Sequence, residues 1–259
     1  KSQKKVGNTM QRYFVPRENW QENKVVIKGD DYHHIVRVMR MKQDEPLVVV
    51  DPDGKAAEAI VESFSDDKVI CILKRMLHED VEMPIQVTIA QGIPKGEKWE
   101  WILQKGTELG ATAFISFQAE RSIVKWEERK LVKKMARWEK IVKEASEQSH
   151  RTVIPTIDWT RNWQDFLKVS QEFDYRLFAY EEEAKQTPSV KLHSIFQSIQ
   201  SGASVLVCIG PEGGFSSKEV IDLQQHDFQS IRLGPRILRT ETAPLYVLAS
   251  LSYYFEETR

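Results

Sequence analysis

The feature that most limits what this chain can fold into is a change of rhythm at Pro84. Before it, short β-leaning runs follow one another: Tyr13-Phe14-Val15, Val25-Val26-Ile27, Leu47 to Val50, Ala56 to Val61 and Val69 to Leu73. Asp53-Gly54 and Asp66-Asp67 separate them as turns. One helix is expected in this stretch, from about Asp31 to Met41. After Pro84, strand and helix alternate. Strands are expected over Ile85–Ala90, Ala113–Phe117, Tyr175–Ala179, Val205–Ile209 and Ile231–Leu233. Helices are expected over Glu97–Leu109, Glu127–Ser149, Trp163–Gln171, Ser217–Gln225 and Ala243–Glu256. Such alternation demands a mostly parallel sheet with both faces covered, because each crossover helix must land on the sheet. The expected organisation is a small β-barrel over residues 10–82, the acidic stretch His78–Pro84 as linker, and an α/β domain over 84–259. Residues 1–9 are expected to be a polar leader, native or a cloning remnant, before a start at Met10.

Composition narrows the function classes. The 259 residues carry a net charge of −1, so any nucleic-acid binding must come from local patches. Cys71 and Cys208 each sit in an apolar, β-branched run and are expected as buried core thiols. Their spacing gives no zinc site, and such sparse cysteine fits a reducing compartment, so a cytoplasmic location is expected. No apolar run approaches the roughly 20 residues that span a bilayer. Residues 1–9 lack the apolar core of a signal peptide.

Four segments are candidates for chemistry. The first is Gly210-Pro211-Glu212-Gly213-Gly214-Phe215-Ser216-Ser217, directly after the most apolar strand. Ser216 and Glu219 fit a capping box for the next helix. A glycine-rich strand-to-helix turn presents backbone N–H groups to a ligand. The Walker A and dinucleotide patterns are both absent, and Glu212 would repel phosphate. An acid in the loop suits a ligand bearing positive charge or hydroxyls. Gly92-Ile93-Pro94-Lys95-Gly96-Glu97-Lys98 resembles Walker A only loosely, with the wrong spacing, and is rejected as a phosphate loop.

The second segment is Leu233 to Leu245. Gly234-Pro235 opens a turn, Arg236 and Arg239 flank Ile237 and Leu238, and Thr242 is expected to N-cap a helix that tolerates Pro244 in its first turn. The third is the helix around His33-His34-Ile35-Val36-Arg37-Val38-Met39-Arg40. His33, Arg37 and Arg40 share one face, and Ile35, Val38 and Met39 are expected to face a core. With Arg12 and Tyr13, that basic ridge is a candidate for phosphate contact and base stacking. The fourth is Arg121 to Arg151, a lysine-rich helical stretch and a secondary candidate for RNA. A solvated charged face is the plain alternative for both basic segments.

Taken together, these pieces resemble one family. Met10-Gln11-Arg12-Tyr13-Phe14, the His33–Arg40 helix, Lys105–Gly110, Arg121-Ser122, Glu144–Ser149, the Gly210 loop and Leu233–Leu245 all match it. It is RsmE, the bacterial 16S ribosomal RNA uridine-N3 methyltransferases of the SPOUT superfamily. The resemblance implies an α/β protein: a PUA-like RNA-binding barrel, then a SPOUT methyltransferase domain with a deep trefoil knot, a rare exception to unthreaded chains. It implies a homodimer that needs no metal, acting on 16S RNA in the small ribosomal subunit. It implies S-adenosylmethionine held by Ala179-Tyr180-Glu181, Gly210-Pro211-Glu212-Gly213-Gly214 and, in the last segment, Leu233, Gly234, Ile237, Leu238, Arg239 and Thr242.

For the chemistry, a guanidinium is expected to stabilise the anion formed when uracil N3 loses its proton, Arg239 first and Arg236 as substitute. Glu212 or Glu241 is a candidate proton acceptor, with loop or helix-end stabilisation as the alternative for each. RNA contact is expected from Arg12, Tyr13, His33, His34, Arg37, Arg40, Arg121 and Arg151. A superfamily relative acting on ribose 2′-OH or on transfer RNA, and a non-catalytic RNA-binding factor, are the rival readings.

Overall fold

The computed structural model describes residues 10–126, 128–180 and 192–258. The proposed leader, Glu127 at the expected start of a helix, and Glu181 of the cofactor set lie outside them. The chain divides into two compact units, Lys1–Glu82 with Ser146–Val153, and Met83–Ala145 with Ile154–Arg259.

The first unit is built on a five-stranded sheet of β1 (Arg12–Phe14), β2 (Lys24–Lys28), β3 (Pro46–Val50), β4 (Ala56–Phe64) and β5 (Lys68–Leu77), in the order β1-β3-β4-β5-β2. Only β1 pairs in parallel, with β3. Alternation explains the strands: Ala57, Ala59 and Val61 of β4 and Val69 and Cys71 of β5 point into one core, with Tyr13, Ile27 and Leu47. Register shifts at Glu58/Ala59 and Val61/Ser63 bend β4 against β5.

Helix α1 (Gly29–His33) starts two residues earlier than expected and runs into a π-helical stretch, His34–Met39, ended by Arg40 at φ 52°. The wider π turn changes the phase of the side chains. Ile35 is buried as expected, but Val38 and Met39 face solvent, which corrects the expected core face.

The second unit holds a six-stranded sheet in the order β11-β9-β10-β6-β7-β8, every pair parallel. Its strands are β6 (Gln86–Gly92), β7 (Ala113–Phe117), β8 (Thr156–Trp159), β9 (Tyr175–Ala179), β10 (Ser204–Ile209) and β11 (Gln229–Ile231). Alternate residues of β10 serve opposite faces. Val205, Val207 and Ile209 meet α2 (Lys98–Glu108), α3 (Glu128–Gln148), α5 (Leu192–Ser198) and α7 (Ala243–Ser252). Leu206 and Cys208 meet α4 (Trp163–Ser170) and α6 (Ser217–Gln225). Both cysteines are free and buried, as expected.

This strand order positions the site. The chain runs outward from β6 through β7 to β8, then returns on the other side of β6 with β9, β10 and β11. The direction of winding therefore switches between β6 and β10, where loops leaving the strand ends part and leave room for a ligand. The helix α6 begins at Ser216 with the expected capping box: Ser216 Oγ accepts from Glu219 N at 3.3 Å, and Glu219 Oε2 accepts from Ser216 N at 2.8 Å. β11 ends two residues before the expected Leu233, which frees that residue for a loop.

Candidate active site at the carboxyl ends of the parallel sheet

A cleft of about 790 Å³ opens at the strand ends of the second unit. That volume is in the range of about 300–1,000 Å³ typical of small-molecule sites. Three segments far apart in sequence line it: Ala179-Tyr180 after β9, Gly210 to Phe215 after β10, and Ile231 to Thr240 after β11. The structure thus brings together the glycine loop and the arginine-bearing segment. Thr242 stands at the N-cap of α7, but its backbone is already helical and its side chain makes no cap hydrogen bond. Its side chain is exposed, and the expected capping role fails there.

The floor of the cleft is a polar knot of buried groups. Thr240 Oγ1 donates to the Gly210 carbonyl at 2.7 Å, and Gln91 Nε2 donates to Thr240 Oγ1 at 2.8 Å. The same amide lies 3.2 Å from the Gly210 oxygen and 3.1 Å from that of Gly92. The ends of β6 and β10 and the turn before α7 are fixed to one another in this way. The close approach also explains Gly92, where a Cβ would come within 2.6 Å of the Pro211 ring. Gly213 is constrained likewise: a Cβ there would fall 2.9 Å from Arg121 Cβ, and Arg121 Nη1 donates to the Gly213 carbonyl at 3.2 Å. Arg121, expected as an RNA contact, is therefore exposed on the wall of this cleft.

The charges are arranged asymmetrically. Arg236 and Arg239 are exposed on the cleft wall and form no ion pair among the described residues. Glu212 and Glu241 instead share one ammonium, Lys98 Nζ, at 2.9 Å and 3.1 Å. Lys95 N also donates to Glu212 at 3.1 Å. Burial pushes the Glu212 carboxyl up, but the hydrogen bonds from Lys98 and Lys95 outweigh it and hold the group below the usual glutamate range. Lys98 neutralises Glu212, so this acid does not by itself exclude an anionic ligand group from the cleft. The loop Gly92–Lys98 is no phosphate loop, yet it reaches the site.

Apolar side chains of Ile209, Phe215, Leu233 and Leu238 line the cleft beside these charges and the backbone of the glycine loop. Such a lining fits a ligand that joins a flat heterocycle, hydroxyls and a charged tail. Among the described residues no group of three or more metal-ligating side chains occurs. No helix among them is long and apolar enough to cross a membrane.

Comparison with known proteins agrees with this geometry. A family model for the RNA methyltransferase domain matches residues 81–252, and one for the RNA methyltransferase PUA domain matches residues 27–74. The ribosomal RNA small subunit methyltransferase E of Bacillus subtilis is 46% identical over 96% of this chain and 99% of that protein. The chain belongs to the ribosomal RNA small subunit methyltransferase E family. The Mycobacterium bovis member is 31% identical over 87% of this chain and 85% of its own. A crystal structure of the Neisseria gonorrhoeae member, bound to S-adenosyl methionine, has a TM-score of 0.80 at 28% identity and covers 95% of this chain and 98% of that one.

Four residues expected to contact RNA are engaged within the first unit instead: Arg12, Tyr13, His34 and Arg151. Arg12 is buried, with Nη2 bound to both oxygens of Glu79 at 2.8 Å and Nη1 to the Arg151 carbonyl at 3.1 Å. Arg151 is buried too, and its guanidinium meets Glu82 at 2.6 Å. Tyr13 is buried with its hydroxyl 3.0 Å from His34 Nδ1, which also occupies His34. These groups stabilise the first unit; their partners are too distant in sequence to be seen from spacing. His33, Arg37 and Arg40 remain exposed. Sequence reasoning missed Lys98, Gln91 and Thr240. For Lys98 the signal was a lysine at a helix start, against the backbone dipole.

Proposed function

We propose that this chain transfers a methyl group from S-adenosylmethionine to N3 of a uridine in 16S ribosomal RNA. The observation that carries the reading is the placing of Arg236 and Arg239, which form no ion pair among the described residues, beside the glycine loop in one cleft. When bound, S-adenosylmethionine supplies a methyl group already activated by its sulfonium, so no metal is required. The residues we assign to hold it are Ala179, Tyr180, Gly210, Pro211, Glu212, Gly213, Gly214, Leu233, Gly234, Ile237, Leu238 and Arg239, with Glu181 following directly in the chain.

The chain's own contribution is electrostatic. Uracil N3 must lose its proton, and the charge spreads to the two flanking carbonyl oxygens. A guanidinium fixed there stabilises that charge more in the transition state than in the neutral base. Arg239 takes this role and Arg236 supports it. Glu212 and Glu241 are tied to Lys98 and act in holding the loops; the weakly acidic N3 proton, whose loss the guanidinium favours, passes to a solvent base such as hydroxide or buffer.

His33, Arg37, Arg40 and Arg121 are the proposed RNA contacts. The relative's name supports the small ribosomal subunit as substrate. A homodimer is supported by Ile237, Tyr253 and Trp101, large apolar side chains that are half or more exposed on the second unit. The strand order around β6, β9 and β10 is compatible with the trefoil knot, and a ribosomal RNA substrate with a cytoplasmic location.

The test is Arg239→Ala. Methylation of small subunits should fall by about a hundredfold or more, with binding of S-adenosylhomocysteine retained by calorimetry, because Arg239 meets the cofactor through its backbone. Turnover at the wild-type rate would remove Arg239 from the reaction. Mass spectrometry of the digested product separates a base adduct from a ribose adduct.

A further inference from the structure

Lys98 is a charged group of the cleft to which the proposed reaction gives no role of its own. It is the first residue of α2, where a cation faces the positive end of the backbone dipole and is disfavoured. Something else must stabilise it, and two carboxylates do. Glu212 comes from the loop after β10 and Glu241 from the turn before α7, and each meets the same ammonium, at 2.9 Å and 3.1 Å. The three side chains are 29%, 24% and 19% exposed, so water screens these pairs less than it would an open surface bridge. The contact is reinforced from the lysine's own segment by Lys95 N, which donates to Glu212.

We propose that Lys98 is a positioning residue that clamps the glycine loop to the turn before α7, holding the two walls at the spacing cofactor binding needs. The proposal rests on the cleft being the S-adenosylmethionine site. Lys98 acts through the loops and does not touch the base. Its hydrogen bond to Glu212 raises the lysine's own pKa, so the clamp is fully charged at neutral pH. Removing the ammonium does more than cut two contacts. It leaves Glu212 and Glu241 as neighbouring like charges, which pushes the walls apart.

The experiment compares Lys98→Met and Lys98→Arg with wild type in two measurements. The first is amide hydrogen exchange of the ligand-free protein. In Lys98→Met, exchange at Gly214, Thr242 and Ala243, whose amides are hydrogen-bonded to Pro211 and Arg239 within the two walls, should speed up by about fivefold or more while β6 and β10 stay protected. The second is calorimetry with S-adenosylhomocysteine. Its Kd should rise about five- to twentyfold, the scale of two partly screened ion pairs, while kcat at saturating cofactor stays within about twofold. Lys98→Arg should restore both readouts, because a guanidinium can still bridge two carboxylates. Unchanged exchange in either loop, a Kd within about twofold of wild type, or an arginine variant as impaired as the methionine one would overturn the clamp. If Lys98→Met loses protection across the sheet, Lys98→Gln replaces it and is judged by the same outcomes. Failure of the wild-type protein to bind S-adenosylhomocysteine would sink the cofactor reading instead, and the clamp would then stand or fall on exchange alone.

Discussion

Thr240 ties the ends of β6 and β10 to the turn before α7 with one hydroxyl. It donates to the Gly210 carbonyl and accepts from Gln91, whose side chain is fully buried. Thr240→Val keeps the shape and deletes the hydroxyl. The Gly210 oxygen then loses its shortest donor, and the buried Gln91 amide loses its shortest acceptor. Leaving buried polar groups short of partners costs about 1–3 kcal/mol. Urea unfolding should show that loss as a lower midpoint at unchanged slope; an unmoved midpoint would mean that water replaces the hydroxyl. Nothing in the sequence announces this group, because Gln91 and Thr240 lie in different segments and become partners only through the strand order. The same holds for Arg12 and Arg151. A basic side chain reads as a phosphate contact until its acidic partners, Glu79 and Glu82, are found beside it. Cys71 and Cys208 were legible because their whole surroundings are local: each sits in a β-branched run, and burial pushes the Cys71 thiol up to about 12 and the Cys208 thiol well above its usual value. Neither is a ready nucleophile.

Elements were legible where their determinants are local. The helix α6 was placed at Ser217–Gln225 from its capping box, and it occupies those residues. Replacing Ser216 by Ala should cost about 1 kcal/mol, the usual value of a lost N-cap. Replacing Glu219 by Ala should cost more, because Glu219 Oε1 also accepts from Glu120 N at 2.8 Å and so ties a second loop to the helix start. Thermal unfolding of the two variants orders them, and equal losses would show that the Glu120 contact is worth nothing. β7 and β9 are legible for a related reason: buried parallel strands read as largely apolar runs, here broken only by Ser116 and by Arg176. β8 was missed because it is an edge strand of alternating half-exposed residues, with Asp158 in a run of only four. The π turn after α1 was missed because a repeat of 3.6 residues was assumed through His34–Met39, and the wider turn rotates Val38 and Met39 to solvent. β11 was placed two residues late because Leu233 is apolar, yet its apolar side chain serves the cleft lining and not the sheet.

For the molecule as a whole, charge decides how RNA can be held. A chain with net charge −1 offers RNA no general attraction, so affinity must come from exposed cations not already neutralised by carboxylates. The structure shortens that set. Arg12 and Arg151 are spent inside the first unit, whereas Arg37 and Arg40 are exposed at the end of its π-helical stretch. Each phosphate contact releases counterions and contributes about 0.7–0.9 to the slope of log affinity against log salt. The double variant Arg37→Ala, Arg40→Ala should therefore bind 16S RNA more weakly at low salt, and its slope should flatten by about 1.4–1.8. Its unfolding midpoint should not move, since neither side chain is buried. The slope separates two explanations that a single affinity cannot. A loss of structure would weaken binding with an unfolding signature, and a loss of base stacking would weaken it at all salt concentrations equally. Only lost phosphate contacts change the slope while leaving stability alone. An unchanged slope would make the π-helical stretch a scaffold for Tyr13 and His34, and would move the phosphate contacts of the protein to the other exposed cations, Arg121 and those of α3.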